Sequence, residues 1–380
     1  MRDVGMRVED KRPSARGLAS GGASPGDAPD KVQRRMRSPA GLQGFRMSEL
    51  FRRYGLFVVW AAMILLFSVL RPSEFFTASN LQTILASQAV LLILALTLIL
   101  PSSVGEFDLS FAGVLAVSLV IVGWLNVIHH WPIGPSIVVA VLAGVLTGLV
   151  NVLLIVVVGL DSIVVTLGMG TVMGGLALGI NINTTGGISN SLVTASRYEI
   201  FTLPLSFYYG VLLCMVLWYV MRFTPLGRYM LFVGAGREVA RLSGIRVNAI
   251  RAGALIVCST IAALAGVILA GWLGASDPNV GANYLLPAYA AVFLGATTVT
   301  PGRFNPWGTF AAVYFLVTGI TGLQILGYVG WVEQVFYGAS LVVAVTFSHI
   351  AGKKRARAQA PEVQVSTTAI ADAIAERSDS

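Results

Sequence analysis

Long apolar runs broken by short polar turns set the pattern of this chain. Ten stretches are continuously apolar: near residues 54–70, 81–100, 109–128, 133–158, 163–182, 206–221, 253–273, 286–300, 308–326 and 332–348. A helix rises about 1.5 Å per residue, so about 20 residues cross the roughly 30 Å hydrocarbon layer of a bilayer. The eighth stretch is the shortest reading and contains Pro287. The runs do not alternate apolar and polar positions, which excludes a membrane β-barrel. The pattern predicts an all-α integral membrane protein of about ten transmembrane helices.

Composition agrees, with 56% hydrophobic residues, 12% charged residues and a mean hydropathy of +0.77. Soluble domains carry about twice that charged fraction. Residues 1–50 are rich in Arg, Gly, Pro and Ser and read as a disordered basic cytoplasmic tail. They lack the short apolar core and cleavage site of a secretory signal. Residues 51–350 form the transmembrane domain. Residues 351–380 read as a second cytoplasmic tail with a short helix near 367–375.

The net charge of +8 is concentrated rather than spread. Twelve Lys/Arg lie in residues 1–53, six Arg in 222–251 and four Lys/Arg in 353–357. With the N-terminus inside, six crossings bring 222–251 back inside, and four more bring 353 inside. All three clusters, with Arg303, then share one face, as basic residues do at the cytoplasmic ends of membrane helices. This placement argues for lipid headgroups as neighbours and against a nucleic-acid partner. Trp124, Trp131, Trp218, Trp272, Trp307 and Trp331 fall near segment ends, where an amphipathic ring favours the interface; Trp60 lies deeper. The same parity lets segments two to five and seven to ten enter the membrane in opposite senses, which allows an inverted repeat.

Several chemistries are missing. No phosphate-binding G-x-x-x-x-G-K-[ST] loop is present, and the four lysines (11, 31, 353, 354) follow none, so any ATPase belongs to another chain. His129, His130 and His349 are peripheral, and no metal-ligand spacing or catalytic triad accompanies them. Neither a cofactor nor an enzymatic role is expected. Cys214 and Cys258 lie in apolar runs and read as packed thiols. Glu106, Asp108, Asp161 and Glu333 all fall near segment boundaries, so buried relays for ion coupling are poorly supported. A nearly neutral interior suits a neutral, hydroxyl-rich solute.

Four segments carry positions that the apolar pattern does not require. The first is Val104 to Ser110 (Val-Gly-Glu-Phe-Asp-Leu-Ser). Asp108 can cap the third helix, accepting from unpartnered amides at the positive end of its dipole. The other reading puts Asp108 and Ser110 at a gate. The second is Ser162 to Thr171, followed by Gly174 and Gly175. These glycines lower helix propensity and permit close helix approach; packing and a solute path, with Thr166 and Gly168, are the two readings. Asn151, inside segment four, needs a polar partner and reads as interhelical glue or as a path residue. The third is the loop from Thr224 to Ile245. Val239, Leu242 and Ile245 recur at three-residue spacing, Arg237 and Arg241 are i, i+4 neighbours, and Gly244 is placed to end a short amphipathic helix. That helix either lies on lipid or docks a partner. Its Gly234-Ala235-Gly236 start lacks the third glycine and the strand–helix setting of a dinucleotide fingerprint. The fourth is Leu285 to Thr298, where Pro287 favours a helix break; Gly295 and Thr297 join the path candidates.

Taken together, these segments resemble the permease subunits of ribose/xylose-type ABC importers over about residues 50–348. That family's Gly-Gly-Ile-Asp-Leu-Ser-Val-Gly is matched at Gly105, Asp108, Leu109 and Ser110, while Glu106, Phe107, Phe111 and Ala112 depart. Its Phe-Ile-Val-Thr-Leu-Gly stretch keeps Thr166, Leu167 and Gly168. The cytoplasmic loop keeps Thr224, Gly227, Arg228, Gly234, Arg237, Glu238 and Ala240 to Ile245, with Gly236 replacing a usual Asn. In Glu-Leu-Asp-Ala-Ile-Ala-Ala-Val-Val-Leu-Gly-Gly, the two acidic positions are Leu285 and Pro287 here.

The resemblance implies two permease subunits, identical or merely similar, around a central path. It also implies two cytoplasmic ATPase subunits and a periplasmic solute-binding protein. The setting is a bacterial inner membrane, with both termini cytoplasmic. Arg228, Arg237, Glu238, Arg241 and Gly244 would form the ATPase-coupling loop. Asp108, Ser110, Asn151, Thr166, Gly168, Gly295 and Thr297 are the gate or path candidates. The expected cargo is a sugar or similar small polar solute; a nucleoside or branched-chain amino acid is the nearer alternative. An ion-coupled secondary transporter, working without an ATPase, is the alternative of a different class.

Overall fold

The computed structural model describes residues 39–359, with side chains from 54 to 347. The chain separates into Met1–Phe45 and Arg46–Ser380, and the packing below is that of the second unit. The expected tails therefore lie outside the described residues before 39 and after 359, as does the short helix near 367–375. Within the described residues both terminal helices overrun the expected boundaries at 50 and 351: α1 runs Pro39–Leu70 and α15 runs Trp331–Gln359. Pro39 suits a first helical position, and Leu, Glu, Lys, Arg and Ala are good helix formers. Once nucleated, each helix propagates beyond its last apolar residue.

Between them lie α2 (Pro72–Phe75), α3 (Ala78–Ser87), α4 (Ala89–Ser103), α5 (Phe111–Gly123), α6 (Ile133–Val152) and α7 (Ser162–Ile180). π-helical turns extend α5 through Ile128 and α6 through Val157. The second half continues with α8 (Asn190–Arg197), α9 (Leu205–Phe223), α10 (Pro225–Ala235), α11 (Arg237–Leu242), α12 (Val247–Leu273), α13 (Ala282–Gly295) and α14 (Pro306–Ile325). Among the described residues six helices are long and apolar enough to cross a membrane. The pair α3–α4, bent by 44° at Gln88, makes up to seven. Tyr54–Leu70, Ala282–Gly295 and Trp331–Phe347 are shorter apolar helices.

The expected break at Pro287 does not occur, because α13 runs through it. Pro287 stands only one turn and a half into the helix, so it forfeits the bond to the Asn283 carbonyl where the backbone is still adjusting to its start. The chain instead leaves helix after Gly295. Val299 (φ 59°) and Gly302 (φ 80°) turn it, and Asn305 caps α14 by accepting the Gly308 amide at 2.6 Å.

Every residue of α4 is buried. A helix that is apolar all round belongs at a bundle's centre, and α9, α12, α13 and α14 pack around it. Lipid tails are as apolar as leucine, so small residues and interhelical hydrogen bonds must supply the specificity. Gly266 of α12 abuts the Leu115 carbonyl and the Ser118 hydroxyl of α5. Ser118 Oγ in turn donates to the Ala263 carbonyl at 2.6 Å. Trp60, the deep tryptophan, donates from Nε1 to Thr318 Oγ1 at 3.1 Å and fastens α1 to α14. Cys214 and Cys258 are buried free thiols.

The loops gather at two ends. At one, β1 (Thr185–Gly186) pairs antiparallel with β4 (Ala275–Ser276), and Arg197 Nε donates to the Trp272 carbonyl at 2.8 Å. A small hairpin of β2 (Glu199–Ile200) and β3 (Leu203–Pro204) also forms there, just before α9. At the other end, residues 103–110 meet the start of α7, α10–α11 and the start of α12.

Gly266→Leu should drive a side chain into the Leu115 carbonyl. Overpacking of this kind costs about 1–3 kcal/mol, so the detergent-solubilised protein should melt several degrees lower, while Gly253→Leu, at an open position of the same helix, should melt like the wild type.

Candidate functional site: a polar knot beneath an arginine loop

Polar groups withdrawn from water must find partners inside the protein. The link between α4 and α5 concentrates this demand. Asp108, Ser110, Asn151 and Thr166 are fully buried, and Glu106 is 2% exposed. Asn151 Nδ2 donates to Ser110 Oγ at 2.8 Å, and Ser110 donates from Oγ (2.5 Å) and from its amide (2.9 Å) to Asp108 Oδ1. The carboxylate thus closes a turn just before α5, whose N-cap residue, Ser110, makes no side-chain capping bond. Thr166 Oγ1 accepts the Leu109 amide at 3.0 Å, and Ser162 Oγ accepts the Phe107 amide at 3.2 Å. These two bonds hold the link against α7, whose own start is capped by Asp161 through the Ile163 and Val164 amides.

Tyr289 of α13 closes the knot. Its hydroxyl accepts the Asp108 amide at 3.1 Å and donates to the Asp108 carbonyl at 2.9 Å. Its ring packs among Phe107, Phe111 and Phe293. The Cys258 thiol of α12 faces the Asp108 carboxylate. Asp108 lies outside the spanning helices, yet burial pushes its carboxyl above the usual carboxylate range, against the lowering influence of the Ser110 bonds.

A second layer of charge lies beside it. Glu106 Oε1 accepts from Arg251 Nε at 2.6 Å and from Arg237 Nη2 at 2.7 Å. Arg237 also donates to the Gly105 carbonyl at 3.0 Å, and Arg251 to the Ile155 carbonyl at 3.4 Å. Gly105, at φ 75°, turns the chain here with its Cα against Gly234 of α10. The Glu106–Arg251 pair is buried, and removing one partner of such a pair costs about 3–5 kcal/mol, whereas the Arg237 side chain is half-exposed and water screens its share.

The structure divides the expected coupling residues. Thr224 and Pro225 start α10, and α11 ends at Leu242, with Gly244 at φ 79° just beyond. Arg228, Arg237, Glu238 and Arg241 are exposed, as are Val239 and Leu242, but Arg237 alone of these reaches back to Glu106. The path candidates divide too. Asp108, Ser110, Asn151 and Thr166 come together. Gly168 lies on the open face of α7 with nothing near the place a side chain would occupy. Gly295 meets the Gly308–Thr309 backbone, and Thr297 bonds the Leu294 carbonyl at 2.7 Å, so both belong to the α13–α14 turn. Sequence reasoning missed Tyr289, Ser162, Cys258 and Arg251 as members of the site. The one signal for Tyr289 was a phenol set in the alanine run 288–291.

These features define a class: a multi-pass membrane transport subunit with a polar junction beneath an arginine-bearing loop. The chain belongs to the family described as branched-chain amino acid transport system / permease component, whose pattern matches residues 80–345. It is similar to the D-allose transport system permease protein AlsC of Escherichia coli (strain K12), with 25% identity over 81% of this chain and 95% of the relative. It is similar also to the autoinducer 2 import system permease protein LsrD of Salmonella paratyphi A (27%, over 78% and 92%) and of Yersinia pseudotuberculosis serotype O:3 (29%, over 78% and 92%). No solved structure matches it. The chain is thus a permease component of an inner-membrane transport system, a transport subunit and not an enzyme, in accord with the resemblance carried by its motifs.

Tyr289→Phe removes the hydroxyl and leaves the buried Asp108 amide and carbonyl unpaired. An unsatisfied buried group costs about 1–3 kcal/mol, so the variant should melt clearly below wild type; an unchanged thermal midpoint would show that the phenol does not hold the link.

Proposed function

We propose that this chain is the membrane-spanning subunit of an ATP-driven importer that carries a sugar or a similar small polar solute inward. The observation that carries this reading is an uncharged groove of about 310 Å³ between α5, α7 and α13. Gly113, Gly170 and Gly174 bring backbone to its wall, Thr171 and Asn279 offer a hydroxyl and an amide, and no ionisable side chain lines it. A neutral polyhydroxyl solute needs hydrogen-bond partners and close backbone approach. An amino acid would need opposite charges to offset its lost hydration. The relatives named for D-allose and autoinducer 2 favour the sugar class over the amino acid of the family description.

In this reading the spans and shorter apolar helices together make ten crossings, with both termini cytoplasmic. The Arg-bearing loop and the polar knot then lie on the cytoplasmic side, and two ATPase subunits dock on α11. A periplasmic binding protein delivers the solute to the opposite face, and a second permease subunit, identical or similar, completes the path within the lipid. Local geometry supports an inverted repeat of segments two to five and seven to ten. Gly105 and Gly274, both left-handed, follow α4 and α12, and each is followed three residues later by an aspartate (Asp108, Asp277) whose Oδ1 accepts the amide two residues on. Left-handed Gly159 and Gly327 then follow α6 and α14, and the spacing from Gly105 to Gly159 matches that from Gly274 to Gly327 to within one residue.

Proteoliposomes holding the chain with its ATPase and binding protein should accumulate D-allose or a related aldose only with ATP, and the chain alone should be inert under proton or sodium gradients. Gradient-driven accumulation by the chain alone would overturn the reading. Leu242→Glu, at an exposed apolar anchor of α11, should abolish ATPase capture while leaving membrane insertion intact. Asp108→Asn keeps an oxygen for the Ser110 bonds but loses the charge; if Asp108 serves the gate, uptake should fall about tenfold with little change in melting. Equal loss of both would leave Asp108 a cap.

A further inference from the structure

We propose that Glu106 is a positioning residue for coupling: its buried carboxylate ties α11 to the link that carries Asp108, so that movement of α11 is delivered to the polar knot. This rests on the ATPase-coupled reading above. Glu106 Oε1 joins Arg237, the first residue of α11, to Arg251 near the start of α12. Arg237 also holds the neighbouring Gly105 carbonyl, and Arg251 reaches the end of α6 at the Ile155 carbonyl. Through its two arginines this oxygen atom therefore ties together the α4–α5 link, the start of α11, the start of α12 and the end of α6.

Position decides what this connection can do. Outward, α11 presents Val239 and Leu242, 63% and 86% exposed, to whatever binds it. Inward, Glu106 is adjacent to Phe107, which Ser162 and Thr166 hold against α7, and Asp108 follows at once in the grip of Tyr289. The lever from α11 to the knot is thus short and hydrogen-bonded along its length. Its outer joint is the Arg237–Glu106 charge pair, while Ala240 seats the same short helix in the core. Arg237 is 45% exposed on its side chain, whereas Arg251 is 11% exposed, so the two guanidiniums have separate tasks. Arg251 balances the buried carboxylate, and Arg237 carries the motion. A glutamine at 106 would keep the shape but leave two guanidiniums facing each other without an anion.

The test uses the full chain in complex with its ATPase subunits and binding protein, reconstituted in liposomes, as Glu106→Gln, Glu106→Asp and Arg237→Gln. In Arg237→Gln the buried Arg251–Glu106 pair survives, so this variant should fold and melt as wild type. Expected for Arg237→Gln, and for the folded fraction of Glu106→Gln, are wild-type capture of the ATPase subunits, continued basal ATP hydrolysis, and a loss of about tenfold or more in solute uptake and in stimulation of hydrolysis by the binding protein. Glu106→Asp, which keeps the charge, should recover part of both. Should Arg237→Gln remain fully coupled, the proposal fails. It fails equally if that variant no longer captures the ATPase, which would make Arg237 a docking residue, or if Glu106→Asp is as impaired as Glu106→Gln with both melting early, which would mark a purely structural carboxylate. ATP-independent uptake by the wild-type complex would instead sink the ATPase-coupled reading itself.

Discussion

An ionised carboxylate in an apolar interior needs opposite charge and hydrogen-bond donors within reach, and at Glu106 that need organises one whole end of the helix bundle. Arg237 and Arg251 come from two different elements; the buried Arg251 offsets the carboxylate's charge, and the half-exposed Arg237 ties α11 to it. The end of α4, the short helix α11, the beginning of α12 and the end of α6 are consequently fixed with respect to one another. The knot built on Asp108 lies immediately beyond and inherits that position. Its own bonds, from Asn151 through Ser110 to Asp108 and from Tyr289 to the Asp108 backbone, leave the link little freedom to move alone.

The rest of the bundle is held by a different kind of interaction. With lipid outside and apolar side chains inside, there is little hydrophobic preference for one helix packing over another. Close approach decides instead. Gly266 admits α5 to α12, and the polar contacts Ser118–Ala263 and Trp60–Thr318 set which faces meet. α4, apolar on every side, serves as the axis. α7 differs from it: few of its residues are buried, and its glycines and Thr171 leave one face open to the groove. A bundle with a tightly bonded end and a loosely covered wall suits a subunit that must change its exposure without unfolding.

The two aspartate-bearing links illustrate how one local geometry serves two settings. Gly105–Asp108 and Gly274–Asp277 share the left-handed glycine and the same turn closed on the aspartate oxygen. The first is sealed by Tyr289, Thr166 and Asn151. The second stays partly open, with its neighbours Pro278 and Asn279 lining the groove. The difference comes from what packs on each link rather than from the link itself.

The sequence by itself determined the places where helices can exist. Apolar runs of spanning length have few alternatives in a bilayer, and local residues such as Asp161, Thr224, Asn305 and Gly244 start or stop helices through bonds made within a few positions. The short helix at 237–242 was legible for the same reason. What the tertiary structure alone decided was partnership. No local rule tells Arg237 to reach back to Glu106 while Arg241 faces out, brings Tyr289 to an aspartate 181 residues away, or sets Gly295 against the Gly308–Thr309 backbone. Pro287, read from its neighbours, promised a break that its place near a helix start made unnecessary. Contacts between distant segments depend on the shape of the whole packing, which no stretch of the chain contains.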